Sequence, residues 1–168
     1  MKQFPKVIFF IGLYALAAAQ LAPAADLDTR FFYRLTNNFL GPGSSLTVVY
    51  IGGTRRLEMT RTSQNSAQIW KFVNRGGGKY AIRSAALGNA FSLDVINDGR
   101  NDKLYLAKTG NYSGQLWTVG SWGDGTYELS NDFTGFEKVL DTYSDTHEPF
   151  LNPHRDHSGQ HWRLIEVR

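Results

Sequence analysis

Apolar and polar positions alternate in short runs along most of this chain. "KYAIRSA" (79–85) and "KLYLAK" (103–108) put every second side chain on an apolar face, the pattern of half-buried β-strands. "SLDVI" (92–96) and "QLWTV" (115–119) are rich in β-branched and aromatic residues, which suit a pleated surface. Between these runs lie "LGNA", "NDGRND" and "TGNYSG", whose Gly, Asn and Asp supply the positive φ angles of tight turns. Beyond residue 25 no stretch shows the periodicity of an amphipathic helix. The pattern predicts an all-β protein.

The pattern also recurs. Tyr33, Tyr80 and Tyr127 open "YRL", "YAI" and "YEL", 47 residues apart both times. Leu46, Leu93 and Leu140 keep the same step, and Trp70, Trp117 and Trp162 follow at steps of 47 and 45. Three landmarks on one period define three units, over about 31–77, 78–124 and 125–168. Four strands per unit make about twelve in all. A solenoid would need end units that look like caps, and these do not. A propeller usually needs at least four blades, whereas closure of three units removes exposed sheet edges. The expected fold is a β-trefoil of three repeated four-stranded units with pseudo-threefold symmetry, spanning 25–168.

Residues 1–24 read differently. Lys2 and Lys6 precede the apolar run "VIFFIGLYALAAA" (7–19), which ends in small residues, the layout of a secretory signal peptide. The mature chain then starts near Gln20 or Ala25. A membrane anchor would need about 20 apolar residues, so the expected location is secreted and extracellular, with no membrane span. The whole chain carries a formal charge of +3. Without Lys2 and Lys6, sixteen basic residues face fifteen acidic ones, which argues against nucleic acid as a partner. "TRRLEMTR" (54–61) is the one basic knot and reads as a solvated strand edge. The absence of cysteine leaves stability to packing and excludes thiol catalysis and thiolate metal sites.

Each unit ends in the same triplet: Gln68-Ile69-Trp70, Gln115-Leu116-Trp117 and Gln160-His161-Trp162. In this the sequence resembles the ricin B-type β-trefoil lectins, whose three subdomains each end in Q-x-W, and the resemblance runs from Phe31 to Val167. Strand alternation points each Trp into the core and its Gln the opposite way. Burying one such indole contributes about 3 kcal/mol.

The resemblance implies carbohydrate binding. Such a site needs a carboxylate to accept from two sugar hydroxyls, an aromatic face for the apolar side of the ring, and amides to complete the fit. In unit two these are Asp94, Tyr105 and Gln115, which steadies the Asp, with Asn97, Asp98 and Asn111 as flanking polar contacts. In unit three they are Asp141, Phe150 and Gln160, with Asp145, Asp156 and His157 in the loops. Unit one has Thr47 in place of the Asp and Glu58 in place of the aromatic, so it is expected to be silent. The family often has Asn just before the Gln, whereas this chain has Ala67, Gly114 and Gly159. Taken without the resemblance, Asp94 and Asp141 read as turn caps.

Other chemistry finds little footing. His147, His154, His157 and His161 all fall in unit three, but their spacing follows no metal-ligand pattern, so neither metal nor cofactor is expected. No G-x-S-x-G, H-E-x-x-H or Walker motif occurs. Asp94 and Asp141 as a glycosidase pair would have to lie about 5–10 Å apart, closer than equivalent threefold positions. The chain is therefore read as a binding protein and not an enzyme, with glycans or polysaccharide as partners. Two alternatives stay open. One is a protein-binding trefoil such as a protease inhibitor, using "TGNYSG", "NDGRND" or "SDTHEPFLNPHRD". The other is the sugar-binding subunit of a toxin or enzyme complex with a separate partner chain. "NYS" (111–113) is also an N-glycosylation acceptor.

Overall fold

In the computed structural model, which describes residues 25–168, each alternating run becomes a strand. The signal peptide expected over 1–24 lies outside the described residues. The first four strands are β1 (Phe32–Asn37), β2 (Ser44–Ile51), β3 (Thr54–Arg61) and β4 (Trp70–Gly76). The next four are β5 (Lys79–Ser84), β6 (Phe91–Val95), β7 (Leu104–Lys108) and β8 (Trp117–Ser121). The last are β9 (Tyr127–Asn131), β10 (Lys138–Thr142), β11 (Pro149–Pro153) and β12 (Trp162–Val167).

Six strands close a barrel in the order β1-β12-β9-β8-β5-β4. The others form three separate antiparallel hairpins, β2–β3, β6–β7 and β10–β11. Each set of four thus gives two strands to the barrel and one hairpin, which is the β-trefoil arrangement. Closure pairs every barrel strand on both sides. Gly52 and Gly53 join β2 to β3 with φ of 57° and 78°, a left-handed pair that glycine adopts without strain and that matches strand twist.

The repeated landmarks meet in the core. Trp70, Trp117 and Trp162 are fully buried, as are Leu46, Leu93 and Leu140. Each indole Nε1–H donates to the carbonyl of the leucine in its own unit, at 2.9 Å to Leu46, 3.0 Å to Leu93 and 2.8 Å to Leu140. The bond satisfies a donor that burial would otherwise leave unpaired. At the start of the described chain, Ala25 donates to the Val119 carbonyl and Leu27 to the Tyr80 hydroxyl. The Tyr33 hydroxyl donates to the Asp28 carbonyl at 2.9 Å, so two of the repeated tyrosines hold this segment against the barrel.

The expected orientation of the Gln residues needs correcting. Gln68, Gln115 and Gln160 each close a 3-10 turn, over Ser66–Gln68, Ser113–Gln115 and Ser158–Gln160. Strand alternation begins only at the Trp, so it does not govern the Gln. The Gln and the Trp of each triplet are both buried. Among the described residues, no helix is long and apolar enough to cross a membrane.

Candidate functional site

Hairpin register places the candidate residues in pairs. Asp94 of β6 stands opposite Tyr105 of β7, and Asp141 of β10 opposite Phe150 of β11. In the first hairpin the same position pairs Thr47 with Glu58. Directly opposed residues hold their side chains close together on one face, so each hairpin presents one such pair.

The buried Gln beneath each pair is held in the same way in all three units. Its carbonyl accepts a backbone N–H from Ser63, Gly110 or Arg155, and its amide donates to the carbonyl of Arg61, Lys108 or Pro153. The second amide donor finds the distinguishing residue. Gln115 donates to Asp94 Oδ2 at 2.9 Å and Gln160 to Asp141 Oδ2 at 3.0 Å, while Gln68 donates to Thr60 Oγ1 at 3.0 Å. Each aspartate also accepts the N–H of the next residue, Val95 or Thr142, at 2.7 Å.

The two aspartates differ in what remains free. An ionised carboxylate offers about four acceptor positions. Asp94 uses two of them within the protein. Asp141 uses three, because Asn152 Nδ2 also donates to its Oδ2 at 2.9 Å. The position of Asn152 is occupied in unit two by Ala107, which lines the cavity beside Asp94. One small side chain therefore widens the unit-two site and leaves its acid freer. The cavities are about 790 Å3 in unit two and about 350 Å3 in unit three.

The glycines before the Gln residues have a steric cause. A Cβ on Gly114 would collide with Asp94 Oδ1, and one on Gly159 with Asp141 Oδ1. Where the acid is replaced by Thr47, the corresponding residue is Ala67. The carboxylate thus fills the space that a side chain before the Gln would need. The chain's departure from the family's Asn and its choice of aspartate rotamer are one feature.

Asn97, Tyr105 and Asn111 line the unit-two cavity with Asp94, and Phe150 lines the unit-three cavity with Asp141. Burial and the nearby Asp94 carboxylate raise the Tyr105 phenol above its ordinary value, so it stays a hydroxyl donor at neutral pH. Asn111 Oδ1 accepts from Arg75 at 3.4 Å. Other expected contacts point elsewhere. Asp98 accepts the N–H groups of Arg100 and Asn101, which hold its carboxyl below the usual range; it caps the β6–β7 turn. Asp145 accepts the N–H of Thr146. Asp156 Oδ1 lies 2.7 Å from His161 Nε2. Gln115 and Gln160 lie under their aspartates and support them from within.

Several wall residues were not anticipated. Phe133, in the β9–β10 turn, lines the unit-two cavity, and Phe39, in the β1–β2 turn, lines the unit-three cavity. They lie 94 residues apart, two full periods, so each site borrows the same phenylalanine from the following unit. The period alone would have revealed this pairing. At the corresponding position unit one would receive Ala86. Tyr143 stacks on Phe150 with centroids 3.6 Å apart and planes 7° apart, so one face of Phe150 is already covered.

Two of the histidines are engaged with one tryptophan and with acids. His154 and His161 stack on Trp122, and His154 Nε2 lies 2.6 Å from Glu128 Oε2. Among the described residues no group of three or more potential ligands is arranged to hold a metal.

Fold and site together define a lectin-like β-trefoil. A sequence profile for the ricin-type beta-trefoil lectin domain-like family matches residues 66–149, half of the chain, and the chain belongs to that family. No curated protein matches it in sequence. Among solved structures it is similar to the designed threefold-symmetric protein ThreeFoil, with TM-score 0.70 and 23% identity over 81% of this chain and 99% of that one. The exo-β-1,3-galactanase of Clostridium thermocellum gives TM-score 0.70 and 25% identity over 83% of this chain, which spans only 31% of the enzyme. SeviL, solved with asialo-GM1 saccharide, gives TM-score 0.62 and 18% identity over 82% of this chain and 98% of SeviL.

Proposed function

We propose that this chain is an exported lectin that takes glycans at two sites, Asp94/Tyr105 in unit two and Asp141/Phe150 in unit three, with unit one silent. The observation that carries this reading is the paired arrangement at both cavities. In each, a carboxylate held by a buried Gln amide stands opposite an aromatic ring and keeps acceptor positions free. A turn cap alone would require neither the ring nor the cavity. Family membership and a saccharide-bound neighbour support the same reading, and the basic-then-apolar leader of residues 1–24 supports export.

Binding without cleavage is the form we favour. The two aspartates line different cavities, so they do not face one glycosidic bond as an acid and base must. The test is a glycan array on residues 25–168 and on the double variant Asp94→Asn, Asp141→Asn. Binding to one glycan class in the wild type and its loss in the folded double variant are expected. A blank array from folded wild-type protein would discard the lectin in favour of a protein-binding trefoil.

A further inference from the structure

The basic knot at 54–61 has a part to play at the unit-two cavity. Arg55, expected at a solvated strand edge, reaches from the first hairpin and lays its guanidinium on the Phe91 ring, with Cζ 3.6 Å from the ring centroid. Both residues line the cavity that holds Asp94 and Tyr105. Among the described residues, no carboxylate lies within ion-pair distance of Arg55, and its guanidinium donates to no protein acceptor. It is an oriented cation with all its donors available, facing a cavity.

Unit three lacks this arrangement. Its counterpart of Phe91 is Lys138 and of Arg55 is Asp102. The Lys138 ammonium is spent on the Arg100 carbonyl at 2.5 Å and the Asn101 carbonyl. No Arg or Lys lines the unit-three cavity. The two sites are therefore matched in their acid–aromatic pair and different in charge.

Phe91 precedes Asp94 by three residues on β6, an offset of about 10 Å along the strand. That is farther than one sugar ring reaches and within the span of a short oligosaccharide. A guanidinium pre-oriented on an aromatic face suits a planar or multi-oxygen anion, which it binds with two parallel N–H donors.

We propose that the unit-two site takes an acidic glycan, with one sugar seated at Asp94/Tyr105 and the carboxylate or sulfate of a neighbouring sugar on Arg55. This rests on the reading of Asp94/Tyr105 as a sugar site.

The experiment is calorimetric titration of residues 25–168 at low salt with three probes: a hexuronate tetrasaccharide, its carboxyl-reduced neutral counterpart, and a sulfated neutral tetrasaccharide. An anionic probe should bind about tenfold tighter than the neutral one, and the preference should fade as salt is raised. The uronate and sulfate arms tell which anion is favoured. Arg55→Gln should bring the acidic and neutral probes to equal affinity, while Arg55→Lys should keep only part of the preference. Asp94→Asn and the exposed-site variant Tyr105→Ala should weaken all three probes. Equal binding of acidic and neutral probes, or a preference that survives Arg55→Gln, overturns the proposal while leaving the sugar site intact. Acidic binding tighter than neutral that survives both Asp94→Asn and Tyr105→Ala, each made in an Asp141→Asn background that silences unit three, overturns the shared site. Failure of every probe to bind while the glycan array is positive overturns this proposal alone, and a blank array overturns the sugar-site reading with it.

Discussion

At the scale of single residues, the site turns on the space between a glycine and a carboxylate. Gly114 has no side chain because Asp94 Oδ1 stands where its Cβ would be, and Gly159 and Asp141 repeat the relation. Unit one shows the exchange made in full, with Thr47 and Ala67 in place of acid and glycine. Gly114→Ala is expected to push Asp94 off the Val95 N–H, costing about 1–3 kcal/mol for the displaced buried bond and weakening glycan binding. In an Asp94→Thr background the same alanine should be nearly neutral. Urea denaturation of the two single variants and the double would show this as strong non-additivity, and additive costs would refute the steric link. The glycines stand out in the sequence only as a departure from the family's Asn. Their cause needs the coordinates, since the carboxylate that excludes a Cβ lies 20 residues away along the chain.

At the scale of elements, the hairpin decides which acid meets which ring. The resemblance to the Q-x-W lectins singled out Asp94 with Tyr105 and Asp141 with Phe150, and the register of each hairpin sets the two residues of a pair opposite each other. What rests on the hairpin was not legible in the sequence. Tyr143 follows β10 and folds back over Phe150, whereas unit two has Ile96 at that position. With Asn152 already on Asp141, the third hairpin spends on itself contacts that the second leaves for a ligand. Tyr143→Ala, made in an Asp94→Asn background so that unit three is read alone, should uncover Phe150. Glycan affinity is expected to rise about twofold to tenfold, the range of one aromatic stacking contact. An unchanged or weaker affinity by calorimetry would mean that Tyr143 itself forms the binding face.

At the scale of the molecule, closure of the barrel sets the two proposed sites on one rigid body. A shallow site binds a single sugar modestly, and two sites on one multivalent glycan gain by effective concentration. The wild type should therefore precipitate or agglutinate a multivalent glycan. Asp94→Asn and Asp141→Asn singly should each keep soluble-sugar binding at the remaining site and lose crosslinking. Crosslinking that persists in either single variant, followed by turbidity, would point to self-association of the chain.

The sequence by itself determined the repeat and the four-strand unit, because strand alternation and turn residues are short-range, and its resemblance to the Q-x-W lectins singled out the acid and the ring. It also showed unit one to be without the acid and the ring. Tertiary structure alone decided the walls of the sites. Arg55 comes to Phe91 from the preceding unit and Phe133 to Asp94 from the following one, and Ala107 leaves open what Asn152 closes. Contacts between units depend on how the closed barrel turns each hairpin toward its neighbours, and no spacing within one unit records that.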